Sequence, residues 1–201
     1  HDPDPSAPDK VYTARGAFLP PVDIDPMEFG MPPTSFPYAN SPSRKWWIVE
    51  TAAQQGIRFY RMNWLRYPEN KTIPQAVEEF QQTVKALSQL NKKHGIVGCY
   101  QNHSGNLAGA SLWELWDINQ KADREYVGVQ YDIRHGVVEG GLSWRNGLRL
   151  IRPHIRILAI KDFVWTKRDG KYAVQNVPLG EGMVDFKSYF ALLKEYNINV
   201  P

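Results

Sequence analysis

The chain holds a single cysteine, Cys99, among 201 residues. One thiol rules out an internal disulfide framework and any site built from several cysteines. No apolar run reaches the eighteen or so residues of a membrane-spanning helix. An excess of one charge is also missing. The 24 lysines and arginines stand against 21 aspartates and glutamates, and the net +3 is spread without a basic run. That gives no electrostatic case for a nucleic-acid or membrane-surface partner. No glycine-rich phosphate loop follows any candidate strand, which argues against a dinucleotide cofactor. The first residue is His1 rather than Met. The expectation is a processed or incomplete N-terminus, with any targeting segment already removed.

Proline is scarce only after residue 42. Residues 1–42 contain ten of the fifteen prolines, with two basic against six acidic residues. Proline fixes φ and removes a donor, so this stretch reads as an extended arm. Residues 43–201 follow a strand–helix rhythm. A helix from Trp46 to Gln55 leads through Gly56 into a strand-like run, Ile57 to Trp64. Val77, Phe80, Val84 and Leu87 recur at three- and four-residue steps, so Ile73 to Lys93 is expected to be an amphipathic helix. Pro74 suits its first turn and Gly95 its end. Further strands are expected at Ile96–Gln101, Tyr126–Ile133 and Ile155–Ile160. Ser111 with Glu114 reads as a capping box for a helix to about Asn119. Ser143 reads as the cap of a helix to Ile151, and Asp185 as the cap of a last helix. Phe163 to Val177 is expected to fold back at Asp169-Gly170, and another strand to begin near Ile198.

Such alternation implies a parallel sheet with crossover helices. Polar clusters close the strands: Asn63, Gln101-Asn102-His103, Asp132 with His135, and Lys161-Asp162. An α/β barrel keeps its chemistry at that rim. An open doubly wound sheet would use one switch point instead, so the barrel is preferred. Asp132 and His135 can bind a divalent metal or divide acid and base work. His103 can shuttle a proton and Gln101 can hydrogen-bond sugar hydroxyls. Lys161 can stabilise an oxyanion, and Glu181, in the Gly180-Glu181-Gly182 turn, can act as a base or ligand. Trp64, Trp113, Trp144 and Trp165 offer faces for sugar rings. Each reading has a plain alternative. Asp132 caps a loop, His135 packs, Lys161 and Asp162 form a rim ion pair, the glycine turn fixes a loop, and the tryptophans are core.

These motifs, in this order, resemble the sugar phosphate isomerase/epimerase family, the xylose isomerase-like TIM barrels, in an uncharacterised bacterial branch. The carriers are Gln101-Asn102-His103, Asp132-Ile133-Arg134-His135, Ile160-Lys161-Asp162-Phe163 and Pro178 to Phe186, within residues 43–201. The resemblance implies a (β/α)8 TIM barrel, incomplete in this chain because 201 residues fall short of the roughly 250 such a barrel takes. It also implies a small-molecule carbohydrate substrate and proton transfer next to a carbonyl, by Asp132, His135, His103 and Lys161. Gln101, Asn63, Trp64, Glu181 and Trp165 are then the substrate contacts. A divalent metal (Mn, Mg, Zn or Co) is implied, with Asp132 and His135 as ligands. Gln101 and Ala159 stand where the family places a Glu and a His, and a second Glu would lie beyond Pro201. The leading expectation is an isomerase, epimerase or keto-sugar lyase. The second is a carbohydrate-binding or scaffold barrel without catalysis. A third, the apurinic-site nuclease branch, lacks its histidines at Ala159 and before Gly180. A homo-oligomer is compatible with these readings. The compartment is left open, with a soluble protein of a bacterial cytoplasm or periplasm as the expectation.

Overall fold

The computed structural model describes residues 43–201, with the backbone of a small antiparallel ribbon, β1 (Val11–Tyr12) and β2 (Phe18–Leu19). The rest of the expected proline-rich arm lies outside the described residues. Helix α1 (Ser43–Gln54) ends at Gly56, whose φ of 73° turns the chain into β3 (Phe59–Arg61). There follow α2 (Ile73–His94), β4 (Val97–Gln101), α3 (Leu112–Ile118) and β5 (Val127–Asp132). The chain continues through α4 (Ile133–Gly140), α5 (Trp144–Ile151) and β6 (Ile155–Ala159). A hairpin, β7 (Asp162–Arg168) and β8 (Lys171–Val177), precedes α6 (Phe186–Glu195). Asp169 and Gly170 both have positive φ, as a two-residue hairpin turn of matching twist requires. No helix among the described residues is long and apolar enough to cross a membrane.

Strands β3 to β6 form one parallel sheet in chain order. Side chains alternate along each strand, so the sheet sorts its residues onto two faces. Tyr60, Tyr100, Val127, Val129, Tyr131 and Ile155 join the helices in the main core, with Phe80, Leu87, Leu115, Leu148 and Tyr189. Val97, Cys99 and Ile157, with Phe59 against them, form a second cluster that contains no helix residue. A doubly wound sheet carries helices on both faces. Here one face takes the helices and the other is the inner wall of a barrel, so the four βα units make half of a (β/α)8 barrel.

Several local expectations are corrected. The run from Ile57 forms only three strand residues. Met62 N–H still reaches the Cys99 carbonyl at 2.9 Å, but Asn63 Oδ1 then takes the Trp64 N–H at 3.0 Å and turns the chain away. The Ser111–Glu114 capping box does not form. Glu114 instead accepts the Gly109 N–H at 2.6 Å and pairs with the Tyr67 hydroxyl. Helix α4 was not expected, since glycines 136, 140 and 141 hide its period. Asp132 caps it, accepting the His135 N–H at 3.4 Å. Ser143 bonds back to the Gly140 carbonyl rather than capping α5. At Ile198 no strand forms, although the Leu158 N–H donates to the Pro201 carbonyl at 2.8 Å, beside β6.

Asp162 joins the barrel to the glycine turn. It is buried and accepts the N–H groups of Phe163, Gly180, Gly182 and Val184 at 2.8–3.1 Å. A Cβ at Gly182 would lie 2.2 Å from Asp162 Oδ1, so only glycine lets the turn close on the carboxylate. Burial alone would raise the pKa of this carboxyl, but the four amides outweigh it and hold the pKa below the usual range. A depressed folded pKa adds stability that is present above the unfolded value of about 4 and is lost as pH falls through the folded one. Asp162→Asn is therefore expected to cost about 2–3 kcal/mol at pH 7 and clearly less in acid. Urea unfolding of both proteins at neutral and acid pH measures this, and an equal loss at both would contradict it.

Candidate active site

Alternation puts Arg61, Gln101, Asp132 and Lys161 on the inner face, each at or just past the C-terminal end of its strand. They join into a chain across all four strands. Arg61 Nη1 donates to Gln101 Oε1 at 3.1 Å, and Gln101 Nε2 donates to Asp132 Oδ2 at 2.9 Å. Lys161 Nζ lies 3.2 Å from the same carboxylate oxygen. The two charged neighbours fix the amide of Gln101. Turned over, it would set oxygen against carboxylate and NH2 against guanidinium. Asn102 stitches the strand ends together, donating to the Asp132 carbonyl at 3.0 Å and accepting the Asp132 N–H at 2.8 Å. Arg61, Gln101, Asn102, Asp132 and His135 are buried, while the Lys161 side chain remains 28% exposed and marks the open side.

Two imidazoles stand above this row with ring centroids 4.0 Å apart. His135 Nδ1 meets only donors: the Ser104 N–H at 3.0 Å, the Ser104 hydroxyl at 2.8 Å and Arg134 Nη2 at 3.4 Å. Its lone pair therefore sits on Nδ1 and its proton on Nε2. Burial, then Arg134, His103 and Lys161, push its pKa far below the ordinary imidazole value, so the ring is neutral. Nε2 lies 3.7 Å from Asp132 Oδ2, too far for a hydrogen bond and, with a neutral ring, not an ion pair. His103 has the opposite polarity. Its Nδ1 lies 2.9 Å from the Ser104 carbonyl, an acceptor, so Nδ1 carries the proton and Nε2 the lone pair. Trp64 walls this side. Its edge meets His103 at 4.7 Å, its Nε1–H donates to the Gln101 carbonyl at 3.2 Å, and Arg61 covers its face at 4.4 Å.

Gln101, His103, Asp132, His135, Lys161 and Trp64 thus come together. The others do not. Asn63 is exposed beside Trp64. Trp165 is half-exposed on β7 and packs edge-on against Phe163 at 6.3 Å. Glu181 is exposed in a turn closed by its own N–H to the Pro178 carbonyl. No hydrogen bond, ion pair or ring contact among the described residues ties Trp165 or Glu181 to the cluster. Trp144 is buried in the main core. Trp113 is exposed and lines a groove of about 540 Å³ between α2 and α3 with Glu78, Gln81, Asp117 and Lys121, none of them part of the cluster. Arg61 and Ser104 were missed. Arg61 lies two residues from Phe59 on the inner face, so strand alternation could have found it. Ser104 carries no signal, because its part depends on α4 bringing His135 beneath it.

The profile of the xylose isomerase-like TIM barrel family matches residues 43–200, and the chain belongs to that family. Solved structures share its fold. A 3-keto-D-glucoside 4-epimerase from E. coli is 15% identical, with TM-score 0.58 over 77% of this chain and 59% of that one. A probable 3-DHS dehydratase from Bacillus anthracis is 15% identical, with TM-score 0.61 over 80% and 64%. A xylose isomerase-like barrel protein from Mycobacterium smegmatis, in complex with magnesium, is 14% identical, with TM-score 0.57 over 78% and 56%. The chain therefore spans 56–64% of the length of these structures. No curated protein matches the sequence.

The cluster does not fit the divalent metal that the resemblance implies. Among the described residues no three His, Cys, Asp or Glu side chains gather where they could hold an ion. The expected ligand pair fails on tautomer as well. His135 Nδ1 is taken by donors and Nε2 carries the proton, so neither nitrogen offers a lone pair. Long-range 1H–15N spectra of labelled protein are expected to show His135 as the Nε2–H tautomer without titration near pH 6.5, and His103 as the Nδ1–H tautomer. A His135 that protonates in that range would overturn the first assignment, and a His103 carrying its proton on Nε2 alone the second.

Proposed function

We propose that the chain carries the active site of an enzyme moving a proton next to the carbonyl of a sugar or related polyol, as an isomerase, an epimerase or a keto-sugar lyase. The observation that carries this reading is the half-buried His103, polarised with its lone pair on Nε2, in one cluster with the partly exposed Lys161. Proton abstraction α to a carbonyl needs a base near carbon and an electrophile on oxygen. His103 Nε2 holds a lone pair and serves as the base, while the C–H electron pair moves to form an enediolate. The developing oxyanion meets the Lys161 ammonium, the group of this row that reaches the open side. Return of the proton to a different carbon isomerises, return to the other face epimerises, and loss of a β-hydroxyl eliminates. Asp132 and Gln101 position the lysine, and Trp64 offers an apolar wall to the sugar's C–H face.

The test is deuterium exchange from D2O into a panel of ketoses, keto-glycosides and keto-acid polyols, read by NMR. Exchange at the carbon next to the carbonyl is expected for one member. His103→Gln should lower it about 10²- to 10⁴-fold, and Lys161→Met about 10²- to 10³-fold. Carbohydrate binding without exchange on any member would instead leave a binding barrel.

A further inference from the structure

The surroundings of Asp132 supply hydrogens where a metal ion needs lone pairs. Three donors face its carboxylate. Gln101 Nε2 is at 2.9 Å and Lys161 Nζ at 3.2 Å from Oδ2, and the His135 backbone N–H is 3.4 Å from Oδ1, with His135 Nε2 more distant at 3.7 Å from Oδ2. None of them can be turned into a ligand cheaply. Gln101 Oε1 is held by Arg61. His135 Nδ1 is held by Ser104. On the neighbouring strand the register partner of Asp132 is Ala159, whose methyl has nothing to coordinate with. A divalent ion on Oδ2 would sit about 2.0–2.6 Å from that oxygen. It would then share a buried carboxylate with an ammonium already in place, and like charges that close repel strongly.

We infer that this is a fixed-cation centre, in which the Lys161 ammonium, seated on Asp132, supplies the positive charge that a divalent ion would otherwise bring. What that charge does to a substrate rests on the reaction proposed above. The cation assignment itself rests on the donor geometry alone.

Titration of the full chain with Mn2+, followed by the EPR signal of free ion, and with Zn2+, followed by equilibrium dialysis and metal analysis, tests the assignment without passing through turnover. Neither ion is expected to bind stoichiometrically, and Tm should be unchanged. Binding that survives Asp132→Asn lies elsewhere and leaves the assignment standing. One equivalent bound by the wild-type chain and abolished in Asp132→Asn overturns it. The combined variant Gln101→Glu, Ala159→His and Lys161→Ala replaces donors with ligands and removes the ammonium. It should bind one Zn2+ and gain a metal-dependent rise in Tm. A folded combined variant that binds no more tightly than wild type would also count against the inference, and the wild-type titration decides it if that variant does not fold. Absence of turnover bears on the proposed reaction and not on this assignment. Where turnover is present, chelators should leave it unchanged, and its loss under EDTA overturns the inference.

Discussion

One buried carboxylate organises the rim. A charge taken out of water is costly unless it is paired and hydrogen-bonded, and Asp132 is fully buried. Its compensation arrives from separate parts of the chain. Gln101 comes from β4, held in turn by Arg61 of β3, Lys161 follows β6, and the His135 backbone opens α4. No two of these strand ends can move apart without exposing an uncompensated charge. The same contacts that stabilise Asp132 therefore bring the reactive groups together. A barrel rim suits such a cluster, because parallel strands all end on the same side.

The neighbouring residues Lys161 and Asp162 show how alternation divides the work. Lys161 points inward to the cluster, while Asp162 is spent on backbone amides of the glycine turn. Two carboxylates on adjacent strand ends thus have opposite fates. Asp162 meets a ring of amides with no side-chain partner in reach of chemistry, so its role is architectural. Asp132 meets an amide side chain, an ammonium and an imidazole, and of these the Lys161 ammonium borders the open side of the rim.

His103 and His135 illustrate that residue type alone does not give a role. Both are imidazoles, and both are fixed by Ser104. Its N–H and hydroxyl meet one ring and its carbonyl meets the other. One residue thereby sets opposite tautomers on two adjacent rings. The local geometry of a single loop leaves the half-buried His103 with a lone pair on Nε2 and the buried His135 with a proton there.

Much of the fold was legible in the order of residues. The three-and-four spacing of Val77, Phe80, Val84 and Leu87 gave α2, and Asp169-Gly170 gave the hairpin, because both signals are local. Strand ends marked by Gln101, Asp132 and Lys161 were also visible, since a polar residue that closes an apolar run marks the point where a buried strand reaches the rim. Helix α4 was hidden by its glycines, and the Ser111–Glu114 box failed because Tyr67 and Gly109 compete for the same carboxylate. Tertiary structure alone decided the partner of Asp132, the tautomers of His103 and His135, and the recruitment of Arg61. Each depends on atoms from different strands meeting at hydrogen-bond distance. A sequence states which groups a chain carries, but only the folded sheet sets which of them face a donor and which a lone pair.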